Sequence, residues 1–126
     1  MTMLPEARNF KKALILNANI MDEFMKAFLP GMTLAEKKDP AISPYYEDLK
    51  PFRGKLPSAL FTCGTEDALL DDSLAMATKW MVSGGEAVLK IYPGACHGFI
   101  GFAPEILEEA GKALEDAKTY IKQCMA

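Results

Sequence analysis

The sequence predicts an α/β fold with two parallel strands and flanking helices, and three observations predict it. Apolar runs of strand length alternate with helically periodic stretches in the order helix, loop, strand, helix, strand, helix. That alternation implies a parallel sheet with right-handed crossovers. The first strand run, Ala59-Leu60-Phe61-Thr62-Cys63, is nearly all apolar, as suits a strand covered on both faces. Only two strand runs are visible, and a two-stranded sheet is marginal by itself. The pattern therefore reads as the end of a larger α/β sheet.

Residues 1–16 show no clear period. Over residues 19–29, Ile20, Met21, Phe24, Met25, Phe28 and Leu29 recur at helical spacing, acids are expected in the first turn, and Pro30-Gly31 stops the run. Such a Met- and Phe-rich stripe is either a buried helix face or the wall of an apolar pocket, which Met lines adaptably. Residues 32–57 read as a loop punctuated by Pro40, Pro44, Pro51 and Pro57. The first strand follows over residues 59–63 and ends at Gly64. A helix is expected over residues 72–82, capped by Asp71 or Asp72 and stopped by Ser83-Gly84-Gly85, with Leu74, Ala77 and Met81 on one face. The second strand, residues 87–92, is closed by Pro93-Gly94. The last helix is expected to open at Pro104, with a stripe of Leu107, Ala110, Leu114, Ala117, Ile121 and Cys124 opposite a charged side.

Composition narrows the function classes. With 126 residues, half of them hydrophobic, the chain suits one globular unit or a piece of a larger one. A net charge of −3 argues against nucleic acid or an anionic membrane surface as partner. Three cysteines without CxxC spacing and a single histidine give no zinc set, and a reduced, cytoplasmic setting is the simpler reading. Arg8, Lys11 and Lys12 precede a short apolar run, but Asn17 and Asn19 interrupt it, which argues against a signal peptide. No stretch approaches the ~20 apolar residues of a membrane span.

In open parallel sheets, functional groups gather beyond the carboxyl ends of the strands. The first strand leads into Gly64-Thr65-Glu66-Asp67, the second into Ala95-Cys96-His97-Gly98-Phe99. An acid and the only histidine thus lie at equivalent ends of strands about 5 Å apart. Each alone has a simpler reading: a lone histidine is more often structural, and Asp67 could cap a loop. Matched position at adjacent strand ends is what raises the pair to a candidate site.

The run LPSALFTCGTEDALLDDSLAMATKWMVSGGEAVLKIYPGACHGF resembles the C-terminal segment of the hormone-sensitive-lipase-like esterases, the α/β-hydrolase fold-3 family, and is most similar to fungal members. Upstream, FLPGMTLAEKKDPAISPYYEDLKPFRGKLP resembles the loop preceding the family's acid-bearing strand. The resemblance implies the C-terminal portion of an α/β-hydrolase fold: a cap-like helix and connecting loop in residues 1–50, and part of the catalytic domain in residues 51–126. It implies Asp67 as the acid and His97 as the base of a Ser-His-Asp triad, with Phe24, Met25 and Phe28 lining an acyl pocket. It implies small acyl ester substrates and neither metal nor organic cofactor. Ala68 and Cys96 stand where the family usually has proline, and neither change removes a proton carrier.

The family's nucleophile sits in a G-x-S-x-G elbow and its oxyanion hole in an HGG-type loop. Ser43, Ser58, Ser73 and Ser83 lack the elbow glycines, and there is no HGG. Cys96 is a poor substitute, because adjacent side chains on an extended backbone point apart. The nucleophile is therefore expected on a further domain's worth of chain. The resemblance leaves two other readings: one chain of a split hydrolase, or a non-catalytic truncated remnant that forms oligomers or binds a partner through an exposed strand edge. A prolyl-type peptidase shares the Asp–His order, but the cap-like helix and the SPYY loop argue against it.

Overall fold

A computed structural model describes residues 15–126, so the basic segment at Arg8, Lys11 and Lys12 lies outside the described residues. The elements are α1 (Ala18–Phe28), β1 (Ala59–Glu66), α2 (Leu70–Val82), β2 (Ala87–Cys96) and α3 (Glu108–Met125). β1 and β2 pair in parallel from Ala59↔Ala87 to Gly64↔Tyr92, with α2 as the connection between them. Among the described residues no helix is long and apolar enough to cross a membrane.

Asn17 caps α1, its side chain accepting the Ile20 N–H at 2.9 Å. Asp22 and Glu23 fall in the second turn, not the first, because Asn17 starts the helix one residue earlier than its apolar stripe does. Met21 is the buried residue of α1, and it clusters with Leu16, Ala68 and Leu69. The helix therefore rests on the loop that follows β1.

Residues 29–58 are irregular as expected, but not featureless. Short 3-10 turns form at Glu36–Lys38, Pro44–Tyr46 and Lys50–Phe52, the latter two with proline in the first turn, where its fixed φ suits the turn and no N–H is needed. Side chains of α2 clamp this segment. The Lys79 ammonium donates to the Tyr45 carbonyl and lies 5.1 Å from the Tyr45 ring centre, and the Trp80 indole N–H donates to the Pro57 carbonyl at 3.0 Å.

Both strands run further than their sequence signals suggest. β1 continues three residues beyond Cys63, and β2 continues through Pro93-Gly94 to Cys96. The reason is a register change: Gly64 pairs with Tyr92, but Glu66 pairs with Cys96. Bulges tolerate a proline that would break a regular ladder. Gly64 is not a stop but a close approach, since a Cβ there would overlap the Ala95 carbonyl group.

The capping expectation for α2 needs correction. Its N-cap is Leu69, with no side-chain cap; the Leu69 N–H donates instead to Asp67 Oδ1 at 2.8 Å. Asp71 and Asp72 occupy the first turn, where negative charge favours the helix terminus. Only Ala77 of the expected face is buried; Leu74 and Met81 are exposed.

α3 also begins later than expected. Ala103 accepts N–H bonds from Ile106 and Leu107, forming a separate turn over Pro104, and the helix starts at Glu108. Ala110 and Ala113 are fully buried, and Ala113 joins Tyr92, Ala95, Cys96 and Phe99 in the main core cluster. Farther along, Leu114, Ile121 and Cys124 of the predicted stripe are exposed. Asp116 ties the helix to β2, accepting from the Tyr92 hydroxyl at 2.7 Å and from the Lys90 ammonium. Burial, and then the Asp116 carboxylate, push the Tyr92 phenol well above its ordinary range, while the two donors hold Asp116 below its own.

Two outcomes follow for stability. Gly64→Ala forces backbone against backbone, so it should lower unfolding free energy by about 3 kcal/mol or more, read from urea denaturation. Because the folded-state value of Asp116 is depressed, its contribution is present above the ordinary carboxylate value and fades as pH falls through the folded value. Asp116→Asn should therefore lower the urea midpoint near pH 7, and the difference from wild type should close as pH falls below the ordinary carboxylate range.

Candidate active site

At the carboxyl end of the sheet, the turn after β1 presents Asp67. The side chain is 8% exposed, and its Oδ1 is anchored by the Leu69 N–H, while its carbonyl accepts the Leu70 N–H at 3.1 Å. These bonds form an Asx-type turn leading into α2, so the same atoms that start the helix aim the carboxylate. His97 follows β2 directly. Gly98 then takes a left-handed φ of 68°, and the Phe99–Gly101 turn buries Phe99 against Tyr92 with ring centres 5.0 Å apart.

The two loops bring the predicted pair together. His97 Nδ1 lies 3.1 Å from Asp67 Oδ2 and 3.2 Å from Oδ1. An ionised carboxylate only accepts, so Nδ1 carries the proton in this pairing and Nε2 keeps its lone pair. The His97 side chain is 39% exposed, against 8% for Asp67: a buried acid behind a half-open imidazole. Such an arrangement can take a proton at Nε2 from a group outside the pair while the acid holds the ring.

The surroundings are acidic and sulfur-containing. Burial, with Asp71 adding to it, raises the Asp72 carboxyl to about 6, and its Oδ2 has no hydrogen-bond partner. The Cys63 thiol is pushed up by burial and by the Asp67 charge, against a lowering contact with Ser73, so it stays protonated and unreactive. Cys96 is buried in the core cluster with Tyr92 and Phe99 rather than turned toward His97. The four serines are engaged elsewhere or buried. Ser58 donates to Glu86, Ser73 donates to the Leu69 carbonyl, and Ser43 and Ser83 are buried. Among the described residues, Asp67 is the only side chain hydrogen-bonded to His97.

None of the apolar trio belongs to the buried cluster at the acid loop. Phe24 and Phe28 are exposed and Met25 is half-buried; Met21, one turn earlier on the same stripe, makes the contact with the acid loop. Sequence reasoning missed two groups. One is the Leu69 N–H that fixes the acid, detectable from an Asp two residues before a helix N-cap. The other is Thr65, whose hydroxyl accepts the Gly94 N–H at 2.8 Å; nothing in the local pattern marks it.

A family model described as alpha/beta hydrolase fold matches residues 2–101. A comparison with curated proteins returns no match. Among solved structures, the chain is similar to a hyperthermophilic esterase from the archaeon Pyrobaculum calidifontis (32% identity, TM-score 0.74, 87% of this chain and 34% of that one). It is also similar to a thermostable carboxylesterase cloned from a metagenomic library (27%, 0.79, 99% and 41%). A third similar structure is a hormone-sensitive lipase from a metagenome library (25%, 0.78, 95% and 38%). The chain thus spans little more than a third of the length of these structures, and in them it matches a fold of parallel strands with flanking helices. Fold, matched residues and the company of these esterases agree: the chain belongs to the α/β-hydrolase fold-3 family.

Proposed function

We propose that this chain supplies the acid and the base of a Ser-His-Asp triad in a carboxylic ester hydrolase, with the nucleophile and oxyanion donors contributed from outside residues 1–126. The observation that carries this reading is the contact between the Asp67 carboxylate and His97 Nδ1, with Nε2 left available. In the reaction, His97 Nε2 takes the proton of the serine hydroxyl as oxygen attacks the acyl carbon, then gives it to the departing alcohol. Water is activated in the same way to release the acid. Asp67 holds the tautomer and stabilises the imidazolium without becoming protonated itself.

Small acyl esters are the substrates that the names of the similar esterases and lipase support. Phe24, Met25 and Phe28 would face the acyl chain from a cap-like unit in residues 1–50, over a catalytic part in residues 51–126. What supports that division is the contact of α1 with the acid loop, made through Met21 against Ala68 and Leu69. The likeness to fungal members rests on the quoted acid loop and HGF element. A reducing, cytoplasmic setting suits three unpaired cysteines.

A second reading is favoured by exposed apolar surface on α3, where Leu114, Ile121 and Met125 are uncovered. It makes the chain a non-catalytic remnant that associates with itself or a partner.

Two measurements separate these readings. The isolated chain should show negligible p-nitrophenyl acetate hydrolysis; turnover that disappears in His97→Ala would overturn the split of roles. Mixed with a polypeptide bearing the G-x-S-x-G elbow, it should enable fluorophosphonate labelling of that other polypeptide. In the mixture, Asp67→Asn should reduce kcat about 10⁴-fold. Sedimentation velocity of the chain alone should show concentration-dependent association under the second reading, and mixing should then yield no labelling.

A further inference from the structure

We infer that the Thr65 hydroxyl is a positioning group for the acid–base pair, fixing the register in which Asp67 and His97 meet; this rests on the reading of that pair proposed above. Between Gly64↔Tyr92 and Glu66↔Cys96, Thr65 alone on β1 faces Pro93, Gly94 and Ala95 on β2. A regular parallel ladder cannot bridge one residue against three. Pro93 has no N–H to give, and the Gly94 N–H donates to Thr65 Oγ1 at 2.8 Å in place of a main-chain carbonyl.

The position of this bond gives it leverage. Thr65 lies two residues before Asp67, and Gly94 three residues before His97. Gly94 has φ 78°, so the chain turns there, and the direction in which His97 emerges depends on how that turn is held. Gly64 against Ala95 fixes how closely the strands approach, but not how far one slides along the other. The Thr65–Gly94 bond supplies the missing restraint. A β-branched side chain suits the task, because its χ1 is stiff and the hydroxyl is held where the bond needs it. Thr65 touches neither reacting atom and acts through the two loops it joins.

The test uses the whole 126-residue chain and its only histidine, whose ring ¹⁵N shifts report the tautomer without overlap. Wild type should show the Nδ1–H tautomer. Thr65→Val, which keeps the shape and removes the hydroxyl, should speed Gly94 amide exchange about five- to tenfold, the loss of one hydrogen bond. It should also move the ring shifts toward the mixed tautomers expected of Asp67→Asn, and Thr65→Ser should restore both readouts. A purely structural role would lower the urea midpoint yet leave the tautomer unchanged. Wild-type ring shifts in Thr65→Val, or failure of Thr65→Ser to restore them, would overturn the inference; Thr65→Ala replaces Thr65→Val if the latter does not fold. Absence of the Nδ1–H tautomer in wild type would instead remove the acid–base reading itself, and this inference with it.

Discussion

The close passage of β1 beside β2 at Gly64 and Ala95 is the constraint on which the site depends. Two parallel strands leave their carboxyl ends side by side, but carrying the Gly64↔Tyr92 register onward would set His97 opposite Leu69, not Asp67. The bulge makes β2 advance four residue steps, Tyr92 to Cys96, while β1 advances two, Gly64 to Glu66. Those two extra steps hold His97 back to the level of Asp67, in the turn after β1. Only a residue without a Cβ lets the backbones meet closely enough for the irregular stretch to stay in one sheet. The glycine, the proline and the bulge are therefore one device, and its product is a 3.1 Å contact between two loops.

Asp67 has to satisfy two neighbours at once. Its Oδ1 receives the Leu69 N–H and both oxygens face His97 Nδ1. The first bond keeps the carboxylate from rotating, and low exposure keeps water from competing for the second. Asp71 and Asp72 in the next turn crowd the same region with negative charge. Because burial raises the folded-state value of Asp72 to about 6, its ionisation opposes folding above that pH and the penalty eases as pH falls. Favourable interaction of these acids with the α2 terminus offsets part of that cost.

The parallel pair, the helix between its strands and the meeting of Asp67 with His97 could all be read from the sequence. Those features are set by period, by strand order and by the presence of one histidine. Element ends were harder. Gly64 and Pro93-Gly94 carry the local chemistry of stops, and only the neighbouring strand turns them into a close approach and a bulge. Asp71 and Asp72 carry the chemistry of caps, yet the helix begins ahead of them at Leu70, behind a turn that Asp67 closes by accepting the Leu69 N–H. Pro104 suits a first helical turn, but Ala103 closes a separate turn over it before α3 begins. In each case a competing partner, not a weaker propensity, decided the outcome. Period also shows that a stripe exists without showing what covers it. Met21 is buried while Phe24 and Phe28, on the same face of α1, are exposed.

That uneven burial follows a gradient across the molecule. Side chains near the carboxyl end of the sheet are enclosed: Asp67, Ala68, Ala95, Cys96 and Phe99. Apolar side chains farther away are uncovered, including Val82 at the end of α2 and Ile121 and Met125 toward the end of α3. A surface carrying this much apolar area is unusual for a unit that stands alone. Two strands also give a core too thin to cover three helices. Yet the enclosed end is satisfied from within: the acid has its donors, the histidine its acceptor and Phe99 its aromatic neighbour Tyr92. Local bonds thus organise the carboxyl end of the sheet independently of what covers the remaining faces. The Asp67–His97 contact is held by its own two loops, and under the proposed reading a nucleophile would have only to be positioned at Nε2.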